Sequence, residues 1–289
     1  MKKNPVFAVK AESELLKFLL ECFSGKSRNY VKGILKRGQI SVDGKPCKDY
    51  SCKLRPGQKV EALLQVNPVK SKARLSVIFE DDDIIVIDKP AGMLSVSTDK
   101  EHENTAYHIV NDYVKDQNKS GRIFIVHRLD RETSGVMLFA KSENIKNKLQ
   151  ENWDDNVIRR GYIAVVEGEV KTPQGRIVSW LKQTKTLLVY SSDKKGDGKM
   201  AVTNYKTLKT SDKYSLLDIS LETGRKNQIR VHMKDMGHSV TGDKKYGAMT
   251  DPLGRLGLHA SMLIINHPST GEQMTFESVM PGVFSEVLS

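Results

Sequence analysis

Asp130 is a single carboxylate set between two arginines in the stretch His127-Arg128-Leu129-Asp130-Arg131-Glu132-Thr133-Ser134-Gly135. A carboxylate so placed can act on a reacting carbon or proton, or it can be an ordinary turn aspartate paired with Arg128 or Arg131 at the surface. Residue types alone leave these open. The setting says more: Ile123-Phe124-Ile125-Val126 precedes the stretch and Val136-Met137-Leu138-Phe139-Ala140 follows it. Such apolar runs are expected as strands, and two strands would hold the turn rigidly. Thr133 and Ser134 offer hydroxyls to nearby backbone, and Gly135 tolerates the positive φ that tight turns demand.

Two more side chains could share a site with Asp130. Val157-Ile158-Arg159-Arg160-Gly161-Tyr162-Ile163-Ala164-Val165-Val166 is patterned as a long strand with Tyr162, Ala164 and Val166 on one face. A tyrosine there is usually core with its hydroxyl satisfied. Further on, Ile229, Met233 and Met236 mark a helix face that Gly237 ends. Arg230 follows Ile229 and is expected to lie along the domain surface or in a cleft, with a structural salt bridge as the plainer alternative. The three cysteines, Cys22, Cys47 and Cys52, have no C-x-x-C spacing and no histidine close by, so no metal site is expected. A zinc deaminase would need H-x-E with P-C-x-x-C, which the chain lacks.

The elements that must position these residues divide unevenly. Residues 1–72 carry 16 Lys/Arg against 6 Asp/Glu, leaving 30 against 29 for the rest, so +10 of the net charge of +11 belongs to the first quarter. A basic module joined to a nearly neutral larger part is expected to tether nucleic acid. With no signal peptide or membrane-length apolar run and an odd cysteine count, a reduced cytoplasmic protein is expected. In the first quarter a helix capped by Ser13 carries Leu15, Leu16, Leu19, Leu20 and Phe23. A second, opened by Ser27, runs to about Arg37 and sets Arg28, Lys32 and Lys36 four apart on one face. Such a row is a solvated face or a track for phosphates. Ile40-Ser41-Val42 and Asp43-Gly44 follow as strand and hairpin turn. A linker is placed at 67–74, dividing an N-terminal domain, 1–66, from a larger domain, 75–289. In the larger part, 75–79 and 84–87 form a hairpin and helices are expected near 105–114 and 142–153. Residues 193–199 are expected as a loop, and strands near 204–208, 215–221 and 256–265. Strands with interspersed helices and no βα alternation predict α+β with a mainly antiparallel sheet.

Ser27-Arg28, Gly38-Gln39-Ile40, Val42-Asp43-Gly44 and Pro56-Gly57 make residues 12–66 resemble the RNA-binding module named after ribosomal protein S-four. That resemblance implies RNA held on the surface bearing Arg28, Lys32 and Lys36. The stretch 127–135, with Lys89-Pro90-Ala91-Gly92, Arg160-Gly161-Tyr162, Thr223-Gly224-Arg225 through Gln228-Ile229-Arg230-Val231-His232, Gly242-Asp243 and Leu258-His259-Ala260, closely resembles the RluA family of pseudouridine synthases across 75–289. The resemblance implies Asp130 as catalytic nucleophile, Tyr162 as the residue that stacks on the base and serves proton transfer, and Arg230 as the partner of Asp130. It also implies that Arg128 enters the RNA helix where the uridine is extruded. Family members commonly have His where this chain has Asn227, a departure that bears on local RNA contacts rather than on the chemistry. Isomerising uridine adds and removes nothing, so no cofactor is expected. The expected partner is RNA, foremost large-subunit ribosomal RNA with transfer RNA as the alternative, and the expected state is a monomer. The competing function is a non-catalytic RNA-binding or ribosome-assembly factor.

Overall fold

The computed structural model describes residues 5–26, 28–36, 38–62, 75–97, 104–151 and 153–288. Its first part contains β1 (Val6–Ala8), β2 (Ser13–Glu14), α1 (Leu15–Cys22), α2 (Arg28–Lys36), β3 (Ile40–Val42), β4 (Lys45–Pro46), β5 (Lys53–Leu54) and β6 (Lys59–Ala62). Strands β1-β6-β3-β4 form one small sheet and β2-β5 another. Leu15 and Leu19 of α1 and Val31, Ile34 and Leu35 of α2 close a core with Ile40, Leu54 and Val60. Asp43 and Gly44 both take positive φ, 50° and 77°, as a type I′ hairpin turn requires. Glu14, not Ser13, stands at the head of α1, because Ser13 is drawn into pairing with Leu54. Arg28 and Lys32 are exposed on α2. The Lys36 side chain, Ser27, Arg37 and the expected linker at 67–74 lie outside the described residues.

The larger part is built on β7 (Ser76–Glu80), β8 (Ile84–Lys89), α3 (Ala106–Gln117), β9 (Phe124–Ile125), β10 (Ser134–Ala140), α4 (Glu143–Glu151), α5 (Trp153–Asn156) and β11 (Val157–Glu167). The chain continues through β12 (Gln174–Gln183), β13 (Val189–Ser192), β14 (Lys199–Thr210), β15 (Tyr214–Leu221), α6 (Gln228–Asp235), β16 (Leu258–Asn266), β17 (Gln273–Glu277) and α7 (Val283–Glu286). These strands make an 11-stranded sheet, ordered β13-β12-β14-β15-β11-β16-β10-β8-β7, with β17 on β16 and β9 on β10. The fold is α+β, and the pairing is antiparallel except where β10 meets β16. That exception matters locally. Gly135 lies beside Ala260 there with φ +113°, and a Cβ would fall 2.1 Å from the Ala260 carbonyl oxygen. Only glycine allows so close an approach.

Thr105 caps α3, accepting from the His108 N–H, and α3 covers one sheet face through Val110 and Val114, packed with Ile85, Ile87, Met137 and Phe139. Ile145 and Leu149 of α4 cover the other with Val86, Leu138 and Leu263. The helix expected near 142–153 is present as α4, with Ser142 Oγ accepting from the Ile145 N–H at its head, and helical residues continue as α5 beyond Asn152, which lies outside the described residues. Patterning does not mark β12 or β13, and it shortens β14. At this end of the sheet one face is left open, so Val178, Tyr190 and Met200 are exposed and the period-two signal is diluted.

Candidate active site

The 127–133 loop leaves β9 and returns as β10, which pair Ile125 with Phe139 and Phe124 with Ala140. Each stage of the loop is held from outside. The Leu138 N–H donates to His127 Nε2 at 3.0 Å, so that nitrogen carries no proton. Burial, with Arg160 adding to it, pushes His127 down to about 4 and keeps the ring neutral. Ser95 Oγ donates to the Leu129 carbonyl at 2.7 Å and accepts from its N–H at 3.1 Å. Lys89, wholly buried, donates to the carbonyls of Pro90 (3.0 Å), Met93 (2.8 Å) and Arg131 (3.1 Å). One ammonium thereby ties the Lys89–Met93 turn to the peptide after Asp130, although burial lowers it to about 8. At the exit, Arg255 donates to Ser134 Oγ at 2.7 Å, and that hydroxyl lies 2.8 Å from His259 Nδ1. His259 Nε2 faces the Ser278 carbonyl, which only accepts, so Nδ1 is the acceptor and Ser134 donates to it.

The loop presents Asp130 to the first turn of α6. Arg230 Nη1 donates to Asp130 Oδ2 at 3.2 Å across 100 residues of sequence. The stronger hold on that guanidinium comes from Asp243, whose carboxylate accepts from Nε at 2.6 Å and Nη2 at 2.7 Å. The Tyr246 ring lies under it, 4.9 Å from the guanidinium carbon. Burial alone would lower Arg230, but the hydrogen bonds and charge of Asp243, then of Asp130, outweigh it and raise its pKa. A fork-to-fork pair of this kind fixes a planar cation in one orientation.

Asn227 stands at the head of α6 with φ +55°. A carboxylate only accepts, so the amide nitrogen faces Asp130. It lies 3.3 Å from both carboxylate oxygens while the amide oxygen accepts from the Tyr246 hydroxyl at 2.9 Å. Tyr162 lines the same cleft with Arg128, Leu129, Ile229 and Leu258. Burial pushes its phenol up to about 12, with Asp130 adding to that rise and Arg160 opposing it, so Tyr162 stays protonated at neutral pH. Gln228 closes the floor: its Oε1 accepts from Thr223 Oγ1 and the Arg225 N–H, both at 2.9 Å.

The structure therefore brings together Asp130, Tyr162, Arg230 and Arg128, with Arg128 exposed at the rim. Arg28 and Lys32 lie apart from them, on α2. Asp243, Tyr246 and Lys89 go unnoticed as site residues in the sequence, although Lys89 and Asp243 sit in fragments of the family pattern. For Asp243 and Tyr246 the signal is a pairable charge or hydroxyl beside glycine, and for Lys89 a cation at the end of an apolar run. No group of three or more metal-ligating side chains occurs among the described residues. The arrangement is a carboxylate fixed by two donors beside a protonated phenol and apolar walls, suited to acting on a ring that stacks against Tyr162.

A family model described as RNA pseudouridylate synthase matches residues 83–235, and an S4 domain model matches residues 15–60. An uncharacterized RNA pseudouridine synthase of Aquifex aeolicus (strain VF5) is 34% identical, covering 100% of this chain and 98% of its own length. Ribosomal large subunit pseudouridine synthase D of Pseudomonas aeruginosa is 31% identical over 93% of this chain and 89% of its own. Among solved structures, Human RNA Pseudouridylate Synthase Domain Containing 4 superposes with a TM-score of 0.60 at 22% identity, over 73% of this chain and 91% of that one. At that identity the likeness speaks for the fold.

Proposed function

The chain belongs to the RNA pseudouridylate synthase family, and from that premise we propose that it isomerises uridines of large-subunit ribosomal RNA, with Asp130 as the catalytic carboxylate. The observation that carries this is the pairing of Asp130 with an Arg230 already locked by Asp243, in the cleft that Tyr162 lines. Uridine becomes pseudouridine when the bond from uracil N1 to the ribose anomeric carbon breaks, the base turns, and C5 joins that carbon. The C5 proton is lost and N1 gains one, so composition is unchanged. Asp130 serves either by adding to the anomeric carbon or by removing a sugar proton, and both routes need the ionised carboxylate. Tyr162 stacks on the detached base; its protonated phenol gives N1 a proton, and the phenolate so formed takes the proton that C5 loses once it has joined the ribose, restoring the phenol. Leu129, Ile229 and Leu258 exclude the water that would hydrolyse the intermediate.

A uridine inside folded RNA is out of reach, so the enzyme extrudes it at a cost of a few kcal/mol. Arg128 fills the gap at the rim, and the basic module, residues 1–66, offsets the rest by laying Arg28, Lys32 and Lys36 along phosphates. The ribosomal target draws support from the relatives named for the large subunit. The test is release of tritium from large-subunit ribosomal RNA transcribed with 5-tritiated uridine, with pseudouridine mapping in cells that have and lack the gene. Release with wild-type protein and loss of mapped sites without the gene are expected. No release from ribosomal RNA, or an unchanged map, would contradict the proposal, and sites lost from transfer RNA alone would redirect it.

A further inference from the structure

Asn227 departs from ordinary helix-cap behaviour. An asparagine heading a helix normally turns its side-chain oxygen onto the N–H groups of the first turn. Asn227 makes no such bond and holds φ at +55°, a conformation costly to most residues and tolerated by Asn. Its amide, largely buried, instead reaches Asp130 on one side and Tyr246 on the other. The Tyr246 hydroxyl is itself pinned, accepting from the Val189 N–H at 3.2 Å, so it gives its proton to Asn227 Oδ1 and leaves the amide only one orientation.

We propose that Asn227 and Tyr246 form a positioning unit for the proposed catalytic carboxylate, an inference that rests on the function above. The amide nitrogen, 3.3 Å from both oxygens, holds the carboxylate plane, while Arg230 engages Oδ2 alone. Oδ1, bound only by the weaker neutral donor among the described residues, is the oxygen that meets the ribose. The chain Val189, Tyr246, Asn227, Asp130 thus links β13 to the reacting atom. The residue at 227 acts on the carboxylate rather than on the RNA, reversing what its departure from the family pattern suggests.

Full-length Asn227→Gly, Tyr246→Phe and the double variant test this on 5-tritiated large-subunit ribosomal RNA. Glycine removes the amide while keeping the backbone at ease, and phenylalanine removes the hydroxyl while keeping the ring under Arg230. Loss of a donor to a catalytic carboxylate is expected to lower kcat about 10- to 100-fold in Asn227→Gly with KM within about twofold. Tyr246→Phe should lose about 3- to 10-fold, and the double variant should match Asn227→Gly, because an absent amide needs no orienting. Wild-type kcat in Asn227→Gly, or losses that multiply in the double variant, would overturn the unit. If Asn227→Gly melts early, Tyr246→Phe decides, and an unchanged kcat there overturns the proposal. A wild-type protein that releases no tritium sinks the proposed function and this inference with it, whereas active wild type with active Asn227→Gly sinks this inference alone.

Discussion

At the scale of residues, the centre of the site is less Asp130 itself than the guanidinium beside it. Arg230 donates two short bonds to Asp243, which hold it, and offers Asp130 one longer bond of 3.2 Å. Asp243→Ala would leave a largely buried cation with that longer hydrogen bond and the Tyr246 ring in place of its carboxylate pair. It is expected to destabilise the protein by about 3 kcal/mol, readable as a lower urea midpoint, and to cut tritium release. Histidines whose pKa the fold lowers contribute to the response to acid, among them half-buried His127 and buried His232. His127 and His232 are each lowered from 6.5 to about 4, chiefly by burial. Between those values the unfolded chain binds protons the folded one refuses, so stability is present above 6.5 and is lost as pH falls toward 4. From pH 7 to pH 5 each accounts for about 2 kcal/mol, and His232→Asn should flatten that slope by one such share in urea unfolding measured at both pH values. Asp130, Tyr162 and Arg230 could be picked out because the fragments around them resemble the family pattern, whereas their residue types alone left each open to a plainer role. Asp243 and Tyr246 could not, because what they do depends on which charge or amide the fold delivers to them.

At the scale of elements, the loop is rigid because strands on both sides and four separate clamps fix it. The parallel junction of β10 with β16 is the most exacting of these. Gly135→Ala would drive a Cβ to 2.1 Å from the Ala260 oxygen at a φ of +113°, and neither partner can yield without parting the strands. A loss above about 4 kcal/mol is expected in urea unfolding, and stability within about 1 kcal/mol of wild type would refute the claim that this contact fixes the loop's exit. The strands that bury both faces, β8 and β10, could be read from their unbroken apolar runs. β12 could not, since it alternates exposed Gln174, Arg176 and Val178 with half-buried neighbours. The boundary of α1 went astray because Ser13 pairs with a strand that lies forty residues further along, a contact that local sequence does not encode.

At the scale of the whole molecule, charge and chemistry are separated along the chain. Among the described residues, the core of the first part draws on residues before 63, and none of the larger part's core clusters includes these. Deleting residues 1–70 is therefore expected to leave the cleft folded, to weaken RNA binding, and to flatten its salt dependence, measured by filter binding across a salt series. Unchanged affinity and slope would remove the tether from the account. The central claim is that Asp130 performs the chemistry, and Asp130→Asn tests it most directly because Asp243 still holds Arg230 when the charge at 130 is gone. In a single-turnover assay on 5-tritiated large-subunit ribosomal RNA, the variant should bind RNA like the wild type and release no tritium above background. Release at the wild-type rate would contradict the account.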